Sequence, residues 1–263
     1  MSNILVKAVL PSEEDTLVSS LLTHITCFQF CSILLAIIGW ILCIISTAGV
    51  QWRVWHVDNV TGISSGIVWV GIWKVCFRHD ATPDRNTYLH CEDFTENYRT
   101  LPKEIFIAQD LMALASIVNA LAIGFMSFAL WNVFKNTKQK KALITFFTIG
   151  GILNFTSGLI VLVPLSWNLH SVLAKEEIEF PDSFQLPRIP KDQSVGVAIY
   201  VGYGAVAFQL VSGLLTLFQK YLTFNKTHPF DIIQAQAMAS KTKAHNCPSC
   251  GSSVDLTGLF KVS

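Results

Sequence analysis

Four long stretches that lack any charged or histidine side chain constrain this sequence more than any other feature. They lie between His24 and Arg53, Asp110 and Lys135, Lys141 and His170, and Asp192 and Lys220, and contain 28, 24, 28 and 27 residues. A helix that crosses the hydrocarbon layer of a bilayer needs about 20 apolar residues. We therefore predict four transmembrane helices, at about residues 28–50, 111–131, 142–165 and 195–219. A soluble helical bundle, the alternative, would need a polar face on each helix, and these stretches show none.

The composition excludes several classes of function. Of 263 residues, 51% are hydrophobic and 14% charged, whereas soluble domains carry about 25% charged residues. A net charge of +1 leaves no basic field for nucleic acid, so we expect no such partner. Ionisable groups inside membrane helices usually mark catalysis or transport, and the four stretches contain none. We therefore expect neither an enzyme nor a bound cofactor.

The orientation of the four helices follows from the lysines of the short loop between the second and third. This loop contains no acidic residue, and its lysines are Lys135, Lys138, Lys140 and Lys141. Short loops rich in lysine and arginine stay in the cytosol. The sequence therefore predicts that both termini are cytosolic and that the loops after the first and third helices are extracellular.

This topology divides the chain into three parts. Residues 1–24 form a cytosolic N-terminal tail, residues 25–221 form the four-span domain, and residues 222–263 form a cytosolic tail that we expect to be disordered. Within the four-span domain, the two extracellular loops cover about residues 51–107 and 166–194.

The first extracellular loop has the composition of a folded unit, because it is dense in Trp, Val, Ile and Tyr, residues that favour strands. Residues 51–57, 67–76 and 88–91 have strand character, and glycine-rich and proline-containing turns are expected at 62–66 and 83–86. The predicted fold class is therefore an α+β membrane protein: a four-helix transmembrane bundle with a small extracellular antiparallel β-sheet.

Two cysteines lie in this loop. Cys76 and Cys91 are the only cysteines on the predicted extracellular side, where the environment is oxidising. We predict a disulfide between them, and two free thiols are the alternative. The bond would close a loop of about 15 residues, worth roughly 3 kcal/mol in the loop-entropy treatment.

Several segments resemble a known family. The first loop contains Trp69-Val70-Gly71-Ile72-Trp73 followed by the two cysteines, an arrangement that resembles the Trp-x-Gly-Leu-Trp…Cys…Cys signature of the claudins. The first helix and its exit (Leu34 to Trp40 and Gln51-Trp52-Arg53-Val54) and the fourth helix (Tyr200 to Tyr203) are also similar. The resemblance covers roughly residues 30 to 221.

The resemblance implies a function in cell junctions. Claudins are four-span proteins that assemble side by side in one plasma membrane at the tight junction, and their loops meet those of the opposing cell. The expected partners are therefore this protein itself, other claudins in the same and opposing membranes, and the lipid bilayer. The signature residues Trp52, Trp69, Gly71 and Trp73 would stiffen a sheet that contributes to adhesion and to a paracellular barrier or pore.

The resemblance also suggests functional positions. Side chains beside the second loop cysteine line pores in several claudins, which makes Glu92 and Asp93 candidate pore-facing charges; solvated surface charges are the alternative. Phe180 matches an aromatic position associated with contact between opposing cells, although Pro181 replaces the tyrosine that usually follows it.

The sequence departs from the family in several places. The loop cysteines are about five residues further apart than usual, Gln109 replaces a common arginine, and the second loop is rich in proline. Most claudins end in Tyr-Val, which PDZ domains capture by strand addition, whereas this chain ends at Ser263. We therefore expect weak or absent PDZ binding through this end.

Two short motifs remain. Asn59-Val60-Thr61 is a glycosylation sequon in the first extracellular loop, and a glycan there would crowd a sealed contact between cells. This feature favours the alternative function, a superfamily relative that serves as a channel auxiliary or trafficking subunit within one membrane. Cys247 and Cys250 form half of a zinc ribbon, and tetrahedral zinc needs four ligands, so we predict no metal site.

Overall fold

A computed structural model describes residues 13–58, 63–80, 87–94, 101–135, 140–180, 184, 186–187 and 189–218. The order along the chain is α1 (Glu13–Ala48), β1 (Arg53–His56), β2 (Ile63–Val70), β3 (Lys74–Asp80), β4 (Thr87–Asp93), α2 (Lys103–Phe134), α3 (Lys140–Leu173), β5 (Asp192–Val195) and α4 (Val197–Phe218). The sequon at Asn59, the C-terminal tail and its Cys247 and Cys250 lie outside the described residues.

The four predicted transmembrane helices are confirmed. The helical segments long and apolar enough to cross a membrane are Cys27–Ala48, Lys103–Val133, Ala142–Leu173 and Val197–Phe218. Three helices are longer than their predicted spans. Helix α2 begins at Lys103, within the loop predicted for residues 51–107, and ends at Phe134. Helix α1 begins at Glu13, inside the expected N-terminal tail, and α3 continues to Leu173, past the predicted end of its span at 165. At 1.5 Å per residue, the 34 residues of α3 are about 50 Å long, so this helix extends beyond a hydrocarbon layer of about 30 Å.

Small side chains allow the helices to approach closely, as is usual in membranes. A Cβ atom added to Gly202 of α4 would lie 2.6 Å from Leu165 of α3 and 2.8 Å from Ser46 of α1. Neutral hydrogen bonds accompany these contacts. The Ser157 hydroxyl, for example, donates to the carbonyl of Ala115 at 2.9 Å and so joins α3 to α2.

The predicted antiparallel sheet is present and has five strands in the order β4-β3-β2-β1-β5. The first extracellular loop supplies four of them, and β5 comes from the second loop. Trp55 of β1 lies opposite Val68 of β2 on one side and Gln193 of β5 on the other. The two extracellular loops therefore form one sheet, which the sequence did not predict because Asp192–Val195 is short and polar.

Two expected features of the first loop differ in the structure, whereas the turn predicted at 83–86 lies outside the described residues. The predicted strand at 67–76 is broken after Val70, and Gly71 closes a turn in which its N–H donates to the carbonyl of Lys74 at 2.9 Å. The turn predicted at 62–66 lies largely within β2, which contains a bulge and places Gly66 at a φ of +60°. Gly66 adopts this left-handed conformation without the steric cost that a Cβ atom would bring.

The sheet has its own hydrophobic core, next to the helix bundle. Its buried side chains come from β1, β2 and β3, from the residues that follow β1 and β4, from the start of α2 and from the second loop. They are Trp55, Val57, Val68, Val70, Val75, Phe77, Phe94, Leu101, Ile105, Ile178, Phe180 and Phe184. Because Ile105 belongs to α2, this core attaches the sheet to the outer end of the helices.

Candidate functional site on the outer sheet

The disulfide joins the edge strand β4 to its neighbour β3. Cys76 and Cys91 are directly opposite each other in the register, with Cα atoms 4.2 Å apart, and their sulfurs are bonded. Since side chains alternate along a strand, both cysteines lie on the face opposite to Val75 and Phe77. The bond therefore fixes β4 in register without occupying the hydrophobic core of the sheet.

The signature residues have different environments. The Trp52 ring is buried, and its Nε1 donates to the carbonyl of Ser46 at 2.8 Å, which ties the start of the loop to the end of α1. A Cβ atom at Gly71 would lie 3.0 Å from both the Gly49 carbonyl oxygen and Val50 Cα. Trp69 is half-buried, whereas Trp73 is 40% exposed. Trp52 and Gly71 are thus structural, and Trp73 is available for contact with other molecules.

Gln109 supports the same turn from the helix bundle. Its side-chain amide, on α2, donates to the carbonyl of Ile72 at 2.6 Å. The glutamine at this position, where the claudin pattern has an arginine, therefore holds the signature turn through a neutral hydrogen bond.

A buried ion pair that sequence reasoning missed links the sheet to two helices. Arg53 Nη2 of β1 lies 3.2 Å from Glu104 Oε1 of α2, and donates to Asn168 Oδ1 of α3 at 2.9 Å. The Ser171 hydroxyl of α3 lies 3.0 Å from the same Glu104 oxygen and 2.6 Å from Oε2 of Glu176. Burial lowers the pKa of the Arg53 guanidinium, and the Glu104 carboxylate opposes that shift. The signal in the sequence that could have indicated this pair is Glu104 itself. It lies in the first turn of α2, where the helix dipole favours a negative charge.

Glu92 and Asp93 point to opposite faces of the sheet. Glu92 lies opposite Val75, on the face that carries the hydrophobic core, and its Oε1 is 3.0 Å from Nε2 of His90. Asp93 is exposed and lies opposite Lys74, on the other face. The two adjacent carboxylates therefore do not form one cluster, and only Glu92 shares a face with His90.

The expectation that Phe180 contacts an opposing loop does not agree with its environment. Phe180 is 7% exposed. Its ring centroid lies 5.1 Å from that of Trp55 and 6.4 Å from that of Phe94. The second loop packs against the face of the sheet that carries the hydrophobic core. An aromatic ring buries more apolar surface there than at an exposed loop tip, and this favours the burial of Phe180. Phe180 is therefore a residue of the hydrophobic core of the sheet.

Comparisons with known proteins point to the family that the sequence motifs resemble. The family model described as PMP-22/EMP/MP20/Claudin tight junction matches residues 37–218. Claudin-3 of Mus musculus is 26% identical over 185 residues, which cover 69% of this chain and 77% of the relative. Claudin-2 of Canis lupus familiaris is 28% identical over 179 residues (65% and 69%), and Claudin-4 of Chlorocebus aethiops is 24% identical over 187 residues (70% and 82%). The residues matched by the family model include strands β1 to β5, the second, third and fourth spans, and the first span from residue 37 onwards.

Proposed function

Because this chain belongs to the PMP-22/EMP/MP20/claudin tight junction family, we propose that it contributes to cell–cell adhesion and to the paracellular barrier or pore of tight junctions. It does so by side-by-side assembly in one membrane and by contact of its extracellular loops with those of the opposing cell. Its partners are further copies of this chain and other claudins. The lysine-rich loop between α2 and α3 and both ends of the chain are cytosolic.

The observation that carries this proposal is the attachment of the outer sheet to the helix bundle. A surface that forms a contact or a passage between cells must hold its shape. Three links hold the shape and position of this sheet. The disulfide fixes β4, the Trp52 indole ties the loop to α1, and the Arg53–Glu104 pair ties β1 to α2. The sheet thereby presents its exposed residues in one orientation.

Two exposed positions are candidates for function within this proposal. Glu92 lies beside His90 on the face of the sheet that carries the core, and both side chains are about 40% exposed. A carboxylate that faces a narrow passage favours cations by Coulomb attraction. Trp73, exposed beside the signature turn, is the candidate for contact with a neighbouring protein, because partly exposed tryptophan is enriched in interfaces.

The sequon at Asn59 is a separate inference, since a glycan at this position would favour the alternative function within one membrane over a sealed contact between cells. Its asparagine follows β1 in the extracellular loop, so we infer that it carries an N-linked glycan. A mobility shift on removal of N-glycans, lost in Asn59→Gln, would support this; an unshifted band from surface-labelled protein would contradict it.

The decisive experiment expresses the chain in cells that lack tight junctions. Two populations, each carrying the protein with a different fluorescent tag, are mixed with untransfected cells. We expect enrichment at borders between two expressing cells, and strands in freeze-fracture replicas of those borders. Even distribution of surface-labelled protein, without strands, would overturn the proposal and would favour a function within a single membrane.

A matched pair of variants then tests the candidate passage. In epithelial monolayers that express the protein, Glu92→Gln is expected to lower the preference for sodium over chloride, measured as a dilution potential. Asp93→Asn removes the same charge from the opposite face of the sheet and is expected to leave this preference unchanged. Equal effects of the two variants would assign both carboxylates to the general surface charge.

A further inference from the structure

Three buried polar atoms between the sheet and the helices have no hydrogen-bond partner among the residues that the structure describes. They are Nη1 of Arg53, Nε1 of Trp55 and Oε1 of Gln193. Their side chains are 1%, 0% and 8% exposed. An unpartnered buried polar group destabilises the folded state, so three of them in one region need an explanation.

The three side chains come from one face of two paired strands. Arg53 and Trp55 are two residues apart on β1 and therefore point to the same side. Gln193 of β5 lies directly opposite Trp55 in the register, so its side chain leaves the sheet on that side as well. The three groups thus share one face, at neighbouring positions.

Two of the three side chains, Arg53 and Gln193, contact the same part of α3. Arg53 Nη2 donates to Asn168 at 2.9 Å, and Nε2 of Gln193 donates to the carbonyl of Val172 at 3.4 Å. Asn168 and Val172 are one helical turn apart. The bond to Val172 also orients the Gln193 amide, because it assigns the nitrogen to the helix and leaves the oxygen as the free acceptor.

These groups provide two donors and one acceptor, and we propose that they bind one buried water molecule. A water accepts hydrogen bonds from Arg53 and Trp55 with its two lone pairs and donates one to the Gln193 oxygen. Buried waters typically make about three hydrogen bonds to polar groups that would otherwise be unsatisfied. We refer to Arg53, Trp55 and Gln193 as the interloop water site, since β1 belongs to the first extracellular loop and β5 to the second.

The charges around the site favour water over an ion. The guanidinium of Arg53 is already paired with the Glu104 carboxylate, and the Glu176 carboxylate also interacts with it, so an anion such as chloride would add an uncompensated negative charge. A cation is disfavoured by the two N–H donors. Water also gives the site a role, because one molecule connects the two loops. This inference does not depend on the proposed function in junctions.

The test observes the tryptophan indole directly. The full chain, labelled with ¹⁵N-tryptophan, is placed in lipid nanodiscs, and magnetisation transfer from long-lived water to each indole N–H is measured by NMR. Trp55→Phe assigns the Trp55 signal. We expect transfer to Trp55 and none to the buried Trp52, whose N–H donates to the Ser46 carbonyl and serves as an internal control in the same spectrum.

A substitution at Gln193 completes the test. Gln193→Leu removes the acceptor and is expected to abolish the transfer to Trp55. An unchanged Trp52 signal shows that the variant is folded. Absence of transfer to Trp55 in the wild-type chain, or its persistence in folded Gln193→Leu, would overturn the proposal. A change of the Trp55 signal on replacing chloride by gluconate would do the same, because it would assign the site to a halide.

Discussion

The outer sheet and the helix bundle bury their polar groups in different ways. At the sheet, a charged pair, Arg53 and Glu104, is held between β1, α2 and α3 by hydrogen bonds to neutral side chains. In the part of the bundle that the structure describes, the polar contacts between helices are neutral, as those of Ser32 and Ser157 show. The Ser32 hydroxyl of α1 lies 3.1 Å from that of Ser212 and 2.5 Å from that of Thr216, both on α4.

The difference reflects the two surroundings. A charge at the centre of a bilayer is costly, whereas a pair at the outer end of the helices lies near the level where water and headgroups begin. The sheet can therefore use a few strong, specific links, and the bundle uses many weak contacts and close packing. Substitutions in the two regions should differ accordingly, and the following predictions are ordered by expected effect.

The largest effect is expected at the buried ion pair. Glu104→Leu leaves the Arg53 guanidinium buried without its carboxylate, and breaking such a pair by removing one partner costs about 3–5 kcal/mol. The measurement is the free energy of unfolding of the chain in detergent micelles. The double variant Arg53→Met with Glu104→Leu should recover most of the loss. A double variant as unstable as the single one would show that the pair contributes packing rather than charge.

The disulfide should come next. Replacing Cys76 and Cys91 by serine removes a link that closes a loop of 15 residues, which corresponds to about 3 kcal/mol. Because the bond joins the edge strand, early proteolytic cleavage should fall within residues 77–90. Replacement of the buried Cys43 by alanine, in the bundle, is the control and should leave the cleavage pattern unchanged. Cleavage elsewhere in the serine variant would contradict a local role.

A glycine pair compares the two regions directly. A Cβ atom at Gly71 would approach backbone atoms of residues 49, 50 and 74 at 3.0–3.1 Å, whereas one at Gly124 on α2 would meet nothing within 4 Å. Gly71→Ala is expected to destabilise the chain by about 1–3 kcal/mol, and Gly124→Ala to stabilise it by about 0.5–1 kcal/mol through helix propensity. The sign of each stability change is measured by thermal unfolding in nanodiscs. If Gly71→Ala left the stability unchanged, the turn would be able to move away from the end of α1.

The smallest effect is expected within the bundle. Ser32→Ala removes hydroxyl contacts between α1 and α4, and single polar interactions between membrane helices average about 0.6 kcal/mol. The thermal unfolding midpoint in nanodiscs should therefore fall only slightly. A loss as large as that of Glu104→Leu would contradict the contrast between the two regions.

The sequence was sufficient for the features that depend on local composition. Absence of charge over more than 20 residues predicted the four spans, and alternation of apolar residues predicted the sheet. The resemblance around Trp69 to Trp73 identified the family, and the cysteine positions predicted the bond between Cys76 and Cys91.

Features that depend on distant contacts could not be predicted in this way. Arg53 and Glu104 are separated by 51 residues, and neither position indicates its partner. The strand β5 is too short and polar to show a strand pattern, and it forms because β1 offers a free edge. The turn at Gly71 is set by the backbone at Gly49 and Val50, and the burial of Phe180 depends on the fold of the second loop beneath the sheet.

The strand order has a further consequence for how this family varies. The two terminal strands of the sheet, β4 and β5, belong to different extracellular loops, which are separate segments of the chain. A change in the length or composition of one loop can therefore reshape one rim of the sheet while the opposite rim keeps its form. The two rims can therefore be altered independently. A chimera that exchanges only residues 189–195 would transplant the β5 rim and leave Ile178, Phe180 and Phe184 of the hydrophobic core in place.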